Sequence, residues 1–265
     1  MKRERRQERP EFKVSDKLTV YSEQGKRDYQ EDRYIAESCI INGQTLQVLA
    51  VMDGHGGSEV AEQIRTDLIP TLRVCASEVD TDIPKLLRAT IYEINLMTKN
   101  QRSGSTLSMV VIPENENTAY AAVIGDSPII IQDSEDFASF SPDHNVRTNK
   151  AELDAAIKRG AMNTRGYITE PLSGESLQMS RALGDGLMDK ILDRRPETYS
   201  VNLGKDSFVI IASDGVLDPH HKNTNDEERR VGKMVRDGAD AKALVKDALK
   251  RKTNDNATAI VWRAV

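Results

Sequence analysis

The first clear elements of the chain are a strand and a helix. Thr45–Met52 is a mostly apolar run rich in strand formers, and it stops at Asp53-Gly54. From Ser58 onward apolar residues recur at every fourth position, which predicts a helix with one buried face. That face carries Val60, Ile64, Leu68 and Leu72. The pattern therefore predicts a buried strand that leads through a turn into an amphipathic helix.

A second helix and three strands follow. Asp82 suits an N-cap and Pro84 suits the first turn of a helix, whose buried stripe is Leu87, Ile91 and Ile94. The next apolar runs, Leu107–Ile112, Thr118–Ile124 and Ile129–Gln132, are separated by short turns. Connections this short predict antiparallel hairpins.

The rest of the chain alternates short helices and strands. Asn149–Arg159 predicts a helix closed by Gly160, and Asp240 predicts the cap of a helix that ends near Arg251. Met162–Glu175 has no clean periodicity and is typical of a loop or an irregular hairpin. The remaining strands are Phe208–Ala212 and Thr258–Trp262. This mixture favours an α+β protein with a sheet core and helices outside it.

Composition fits an ordinary globular protein of one large domain or two small ones. The chain has 265 residues, 38% of them hydrophobic, and a net charge of -5, and its basic residues are spread among acidic ones, which argues against a nucleic-acid-binding protein. The exception is the opening MKRERRQERP, with five basic and two acidic residues. We expect residues 1–15 to form a disordered head and residues 16–265 a single domain. A docking arm on an anionic surface remains an alternative for the head.

The sequence also predicts a location. It contains two cysteines, no signal-peptide core and no apolar run long enough to span a bilayer. These features predict a cytoplasmic protein without integral membrane contact, and we also expect it to be a monomer.

Candidate chemistry lies where strands meet aspartates. Asp53, Asp126 and Asp214 each follow an apolar strand, and Asp255 precedes one. Because the end of one antiparallel strand lies beside the start of its neighbour, the four carboxylates can meet at one rim of a sheet. Such a cluster is costly without cations, and oxygen-only ligands select hard divalent ions. Each aspartate alone is also consistent with a simple turn.

Eight motifs sharpen this interpretation. In chain order they are GKRDYQEDR (25–33), VMDGHGG (51–57), GST (104–106), GDS (125–127), SPDH (141–144), SRALGD (180–185), ASDG (212–215) and Asp255-Asn256. The ordered set, over about residues 20 to 263, resembles the metal-dependent protein phosphatases of type 2C (the PPM family), in the style of the eukaryotic branch.

The resemblance implies a fold and an activity. The fold is a central β-sandwich of two antiparallel sheets flanked by helices on both outer faces. The activity is hydrolysis of phosphoserine and phosphothreonine in phosphoproteins by a metal-activated water, without a phosphoenzyme. Two Mg²⁺ or Mn²⁺ ions are expected, with a third, weaker site.

The resemblance also implies individual roles. Asp53 matches the aspartate that bridges the two ions, and the Gly54 carbonyl matches a ligand of one of them. Asp214 and Asp255 match ligands of the other ion, and Asp126 matches a residue of the third site. Four further positions match accessory roles: Glu31 and Asp32 as carboxylates near the ions or their waters, Arg27 as the phosphate-binding arginine and His55 as the general acid.

Three positions depart from the family pattern, and one rival function is considered beside it. Pro128, Val123 and Leu217 differ from residues common in the family, but none is a metal ligand. The alternative is a pseudophosphatase, a binding module that kept the fold and lost turnover. A cysteine-dependent phosphatase is disfavoured because an arginine is needed six positions after the cysteine, where Cys39 and Cys75 have threonines.

Overall fold

The computed structural model describes residues 12–15, 17–78, 82–217 and 224–264. Within them, one large sheet has five antiparallel strands. Numbering all strands in chain order, its spatial order is β15 (Glu197–Asn202), β8 (Thr118–Ile124), β7 (Leu107–Pro113), β4 (Gln44–Met52) and β3 (Arg33–Ile41). The predicted strand at Thr45–Met52 is thus confirmed as β4, and it lies inside the sheet rather than at its edge.

The second large sheet has six antiparallel strands. Its order is β1 (Phe12–Ser15), β2 (Leu18–Glu23), β17 (Ala257–Arg263), β16 (Phe208–Ala212), β9 (Ile129–Gln132) and β10 (Ala138–Phe140). The two central strands pair with Ala212 opposite Ala259, so the end of β16 lies beside the start of β17. This register brings the residues after β16 next to those before β17.

The two sheets face each other across an apolar layer. Along β4, Leu49 and Val51 belong to the core between the sheets, while Val48 and Ala50 belong to the core under the helices. Both faces of β4 are therefore covered, which explains why its sequence is a continuous apolar run instead of an alternating one.

Helices cover both outer faces. The core beneath α1 (Glu59–Glu78) and α2 (Ile83–Thr98) joins them to the five-stranded sheet. The core beneath α4 (Asp214–Leu217), α5 (Thr224–Arg236) and α6 (Ala241–Lys250) joins these to the six-stranded sheet. The remaining helix is α3 (Lys150–Lys158). The layers are therefore α-β-β-α, and the expected fold class is confirmed.

Three predicted helix starts are confirmed by their caps. The Asp82 side chain accepts a hydrogen bond from the Lys85 amide, at 3.0 Å. Asn149 caps α3 and Asp240 caps α6 through their side chains. Each satisfies amides in the first turn that have no partner within the helix.

One predicted hairpin is wrong. β7 and β8 do pair as antiparallel neighbours, but β8 and β9 lie in opposite sheets. Residues 125–128 carry the chain across the sandwich, and β9 pairs with β16 and β10 instead. All four residues of β9 are buried. A fully buried strand has the same apolar pattern in either sheet, so the sequence does not show which sheet β9 joins.

Smaller elements complete the frame. The irregular segment at Met162–Glu175 contains the hairpin β11 (Met162–Thr164) and β12 (Tyr167–Thr169), and β12 also pairs with β13 (Ser176–Leu177). A second small sheet joins two-residue strands in the order β14 (Leu183–Gly184), β6 (Gly104–Ser105) and β5 (Gly54–His55).

The predicted head lies mostly outside the described residues. Its last four, Phe12–Ser15, pair with β2 as the edge strand β1. The division of the chain at residue 15 stays a prediction. Among the described residues, no helix is both long and apolar enough to cross a membrane.

Candidate active site

Asp53 follows β4 at one end of the sandwich, where backbone contacts fix it. Its amide donates to Thr106 Oγ1 at 3.0 Å, and its carbonyl accepts from the Thr106 amide at 3.0 Å. The Thr106 hydroxyl also bonds to Ser127 Oγ at 2.8 Å. Burial raises the pKa of Asp53 well above its usual range, and the charges of Asp32 and Asp214 raise it further. A buried carboxyl with acidic neighbours favours a cation.

Asp214 and Asp255 come together because β16 and β17 are neighbours. The Ser213 amide donates to the Thr258 carbonyl at 3.0 Å, which locks the two strand ends side by side. A Cβ atom at Gly215 would lie 2.0 Å from the Asn256 carbonyl oxygen, so only glycine allows this approach. The pKa of Asp214 is raised well above its usual range by burial, then by neighbouring carboxylates.

Asp32 lies in the same cluster and is almost fully buried. Its Oδ2 accepts hydrogen bonds from Ser213 Oγ at 2.9 Å and Thr258 Oγ1 at 2.7 Å. Its Oδ1 is buried without a hydrogen-bond partner. Burial is the main reason that the pKa of Asp32 rises to about 7. An unpartnered buried carboxylate oxygen among other carboxylates fits a bound cation or its water.

Glu31 faces the glycine-rich turn after Asp53. Its Oε1 accepts from the Gly57 amide at 2.7 Å, and its own amide donates to Asn256 Oδ1 at 2.8 Å. The Asn256 amide group also donates to the Gln24 and Tyr29 carbonyls. Glu31 therefore orients the turn, and Asn256 ties the QED segment to the start of β17.

Asp126 follows β8 and has its own partner. Its Oδ2 accepts from Asn145 Nδ2 at 2.8 Å. Burial, then the Asp143 charge, raises the pKa of Asp126 to about 6, and the hydrogen bond from Asn145 opposes this rise. The Asp126 charge also raises the pKa of Asp53, which places both carboxyls in one electrostatic group.

Arg27 is the cation beside these acids. Its Nη2 lies 2.6 Å from Asp255 Oδ2, and its side chain is 51% exposed. Burial opposes its charge, but Asp255, Asp53 and Asp214 outweigh this and raise the pKa of Arg27. A half-exposed guanidinium at the edge of the cluster keeps donors for an incoming anion.

His55 lies on the small strand β5 and bonds to an aspartate. Its Nε2 is 2.8 Å from Asp185 Oδ2, and Asp185 is buried. Asp185 has a left-handed backbone, with φ of 49°, directly after β14. The sequence motif SRALGD contains Asp185, but no spacing rule links it to His55.

The described residues hold one close group of metal-ligand type, and it lies elsewhere. The ligand atoms of His144, Glu152 and Glu197 are within 4.8 Å of one another. Arg181 Nη2 already lies 2.5 Å from Glu152 and 2.8 Å from Glu197, so a guanidinium supplies the positive charge. Arg181 thus ties these two carboxylates together. His144 is buried and its Nδ1 accepts from the Gly125 amide, which indicates a structural role.

The aspartate cluster itself fits hard divalent ions. Its donors are all oxygens, it includes the orphan oxygen of Asp32, and like charge raises the pKa of Asp53 and Asp214. No three of its carboxylates, as far as the structure describes the chain, reach the mutual 4.8 Å of the Arg181 cluster.

Solved structures share the layered sandwich. A *C. elegans* sex determining protein matches with a TM-score of 0.76 at 23% identity, over 93% of this chain and 64% of that one. A serine-threonine phosphatase 2C from *Toxoplasma gondii* matches with a TM-score of 0.70 at 17% identity, over 92% and 93%. The architecture is therefore that of the α-β-β-α phosphatase fold.

Sequence comparisons give the family. The family model for Protein phosphatase 2C matches residues 16–257. The probable protein phosphatase 2C 45 of rice (*Oryza sativa*) is 30% identical over 248 residues, which cover 91% of this chain and 85% of the relative. Protein phosphatase 2C homolog 2 of *Saccharomyces cerevisiae* is 25% identical over 77% of this chain and 48% of its own. The chain belongs to the protein phosphatase 2C family.

Proposed function

We propose that this protein is a Mg²⁺- or Mn²⁺-dependent protein serine/threonine phosphatase that hydrolyses phosphoserine and phosphothreonine without a phosphoenzyme. The observation that carries this is the joint presence of buried aspartates and a half-exposed arginine at one rim. Carboxylates alone would make a cation site. Arg27 beside them adds a donor suited to a phosphate.

Five residues would hold the ions. They are Asp53, the Gly54 carbonyl, Asp214, Asp255 and, for a third ion, Asp126. Glu31 and Asp32 would orient them or accept from bound waters. When bound, divalent ions make a water nucleophilic at neutral pH and neutralise the charge of the transferring phosphoryl group.

The protein's own side chains would bind and orient the ester. Arg27 would turn from Asp255 toward the phosphate and donate parallel hydrogen bonds to two of its oxygens. His55 would give a proton to the departing serine or threonine oxygen, which is a poor leaving group without one. The phosphate would thus be held at one side by Arg27 and released at the other by His55.

The cysteines support hydrolysis without a phosphoenzyme. Cys39 and Cys75 are buried in the core between α1, α2 and the five-stranded sheet. Burial raises the pKa of both thiols, which keeps them protonated and poor as nucleophiles. This argues against a cysteinyl-phosphate intermediate and supports direct attack by water.

Hydrolysis of a phosphoserine peptide with Mn²⁺ or Mg²⁺, with and without a chelator, tests the activity. We expect turnover that the chelator abolishes. A chiral thiophosphate ester tests the mechanism, because a single displacement inverts phosphorus and a phosphoenzyme route retains its configuration. Metal-independent turnover, or retention, would refute the corresponding part of the proposal. Metal binding without turnover would favour the pseudophosphatase.

A further inference from the structure

We propose that Asp185 is a positioning residue for His55: it holds the proton on Nε2 and so presents Nδ1 to the leaving oxygen of the substrate. This inference rests on the proposed phosphatase activity. Asp185 belongs to a family motif, but sequence spacing alone does not indicate which residue it contacts. The proposal assigns this side chain a role.

The contact itself fixes the tautomer. His55 Nε2 lies 2.8 Å from Asp185 Oδ2. A carboxylate only accepts hydrogen bonds, so Nε2 must donate and Nδ1 is left facing away from Asp185. Imidazoles that act in proton transfer commonly depend on a second group to set the ring orientation and tautomer.

The surrounding backbone is arranged around this pair. The small sheet of β5, β6 and β14 places His55, Gly104 and the residue before Asp185 on adjacent strands, with His55 paired to Gly104 and Gly104 to Gly184. A Cβ atom at Gly104 would lie 2.0 Å from Asp185 Oδ2 and 2.3 Å from His55 Nε2. The hydrogen bond therefore occupies the space that a side chain at position 104 would take.

A purely local role for Asp185 is a poor explanation. Its backbone adopts the left-handed region, with φ of 49°, and its side chain does not cap the 3-10 turn Gly186–Met188 that follows. The Asp185 amide is held by the Ser103 carbonyl at 3.0 Å. An aspartate tolerates this conformation, and the carboxylate, freed from capping, is directed to His55.

The consequence for the reaction is specific. The reacting His55 ring carries a proton on each nitrogen. As the P–O bond to serine or threonine breaks, the leaving oxygen takes the proton from His55 Nδ1–H, while the attacking water forms the new P–O bond and releases its proton to bulk water. The imidazole then keeps its Nε2–H toward Asp185. Asp185 therefore matters when the leaving group needs a proton and hardly matters when it does not.

Leaving-group dependence is the main test. For Asp185→Asn we expect kcat for a phosphoserine peptide to fall roughly 10- to 100-fold, the range for residues that orient a reacting group. With dinitrophenyl phosphate, which leaves without a proton, the loss should stay below about threefold. Gly104→Ala should reproduce this selective loss, because its methyl group separates the pair. Asp189→Asn, at an exposed position of the same loop, is the control.

A double-mutant cycle separates action through His55 from a general effect. In a His55→Ala background, Asp185→Asn should change turnover by less than about twofold, since two residues that act as one unit are not additive. An equal loss with both substrates, or an undiminished effect in the His55→Ala background, would overturn the proposal.

The tautomer of His55 can also be determined without measuring turnover. With ¹⁵N-labelled histidine the spectrum contains four imidazoles, and His55 is assigned by its loss in His55→Ala. We expect the neutral His55 ring to carry its proton on Nε2 in the native protein and to lose this preference in Asp185→Asn. A proton on Nδ1 in the native protein refutes the pair. Absence of turnover with normal tautomer data would refute the phosphatase assignment alone.

Discussion

Glu228 should make this protein less stable as the pH rises, and Glu228→Gln should remove that effect. The residue lies in α5 on the same face as Val231 and Val235, which pack onto the six-stranded sheet, and it is 4% exposed. Burial, and then the Asp143 charge, raises its pKa from 4.5 to about 8. The folded protein thus binds a proton that the unfolded chain has already released across this interval.

The sign and size follow from linkage. Because the folded pKa is raised, ionising Glu228 opposes folding, so its effect on stability is absent below the unfolded pKa and complete above about pH 8. The gap between 4.5 and about 8 sets an upper limit of roughly 5 kcal/mol. Relaxation around a buried charge reduces this, and we expect about 2–4 kcal/mol at pH 8.5 and less than about 1 kcal/mol at pH 5.

Urea unfolding of both proteins at the two pH values measures this difference. Glu228→Gln should stabilise the protein at pH 8.5 by several times its effect at pH 5. The steric and hydrogen-bonding consequences of glutamine are the same at both pH values and cancel in the comparison. Glu135→Gln, at an exposed loop position, should have a small effect at either pH. Equal stabilisation by Glu228→Gln at pH 5 and 8.5 would refute the reasoning.

Four substitutions test the rest of the site and its frame. Asp53→Asn should lower metal-dependent turnover by at least ~100-fold, since even residues behind metal ligands cost 10- to 100-fold; normal turnover and metal affinity, measured by calorimetry, would contradict its bridging role. Arg27→Ala should raise KM for phosphate esters roughly 10- to 100-fold through loss of charge-assisted hydrogen bonds, whereas a fall in kcat alone in steady-state kinetics would indicate a transition-state role. Gly215→Ala should destabilise the fold by about 1–3 kcal/mol through its clash with Asn256. Gly232→Ala, in α5, where the added Cβ would make an ordinary van der Waals contact with Ile130 at 3.7 Å, should instead leave the protein equally stable or stabilise it by about 0.5–1 kcal/mol. Matching unfolding midpoints for the two glycine variants would show that the close approach at position 215 is not required.

The sequence predicts strands and caps well where each signal is local. Asp82, Asn149 and Asp240 cap helices because a side chain within three residues satisfies the first amides. Sheet membership is not local. β8 and β9 are both almost entirely buried, so their apolar pattern could not show that the chain crosses between sheets at residues 125–128.

Helices and strands with many polar residues are harder to predict from sequence for a different reason. α5 is rich in charged residues, and only a narrow face with Val231 and Val235 packs onto the sheet. The strands β2, β3 and β15 combine buried positions with partly or fully exposed ones and contain polar residues, so they lack a continuous apolar run. Their structure depends on pairing with strands far away in the chain.

The same distinction explains the candidate site. Asp53, Asp126 and Asp214 could be found because each directly follows an apolar strand. Asp32 meets Ser213 and Thr258 only through pairing of the six-stranded sheet and the path of the QED segment. Asp185 meets His55 only through three two-residue strands, which are too short to leave a pattern.

The strand pairing that makes the site hard to predict from sequence also holds its carboxylates together despite their mutual repulsion. The main chain around the aspartates is held by groups that carry no charge, such as Thr106 and Asn256. The carboxylates are therefore kept close by the backbone and not by attraction to one another. Burial and mutual repulsion raise the pKa of Asp53 and Asp214, so the folded protein favours protons or cations at this rim. Because the backbone holds these carboxylates together against their repulsion, binding of a divalent ion at this rim should strongly stabilise the folded protein.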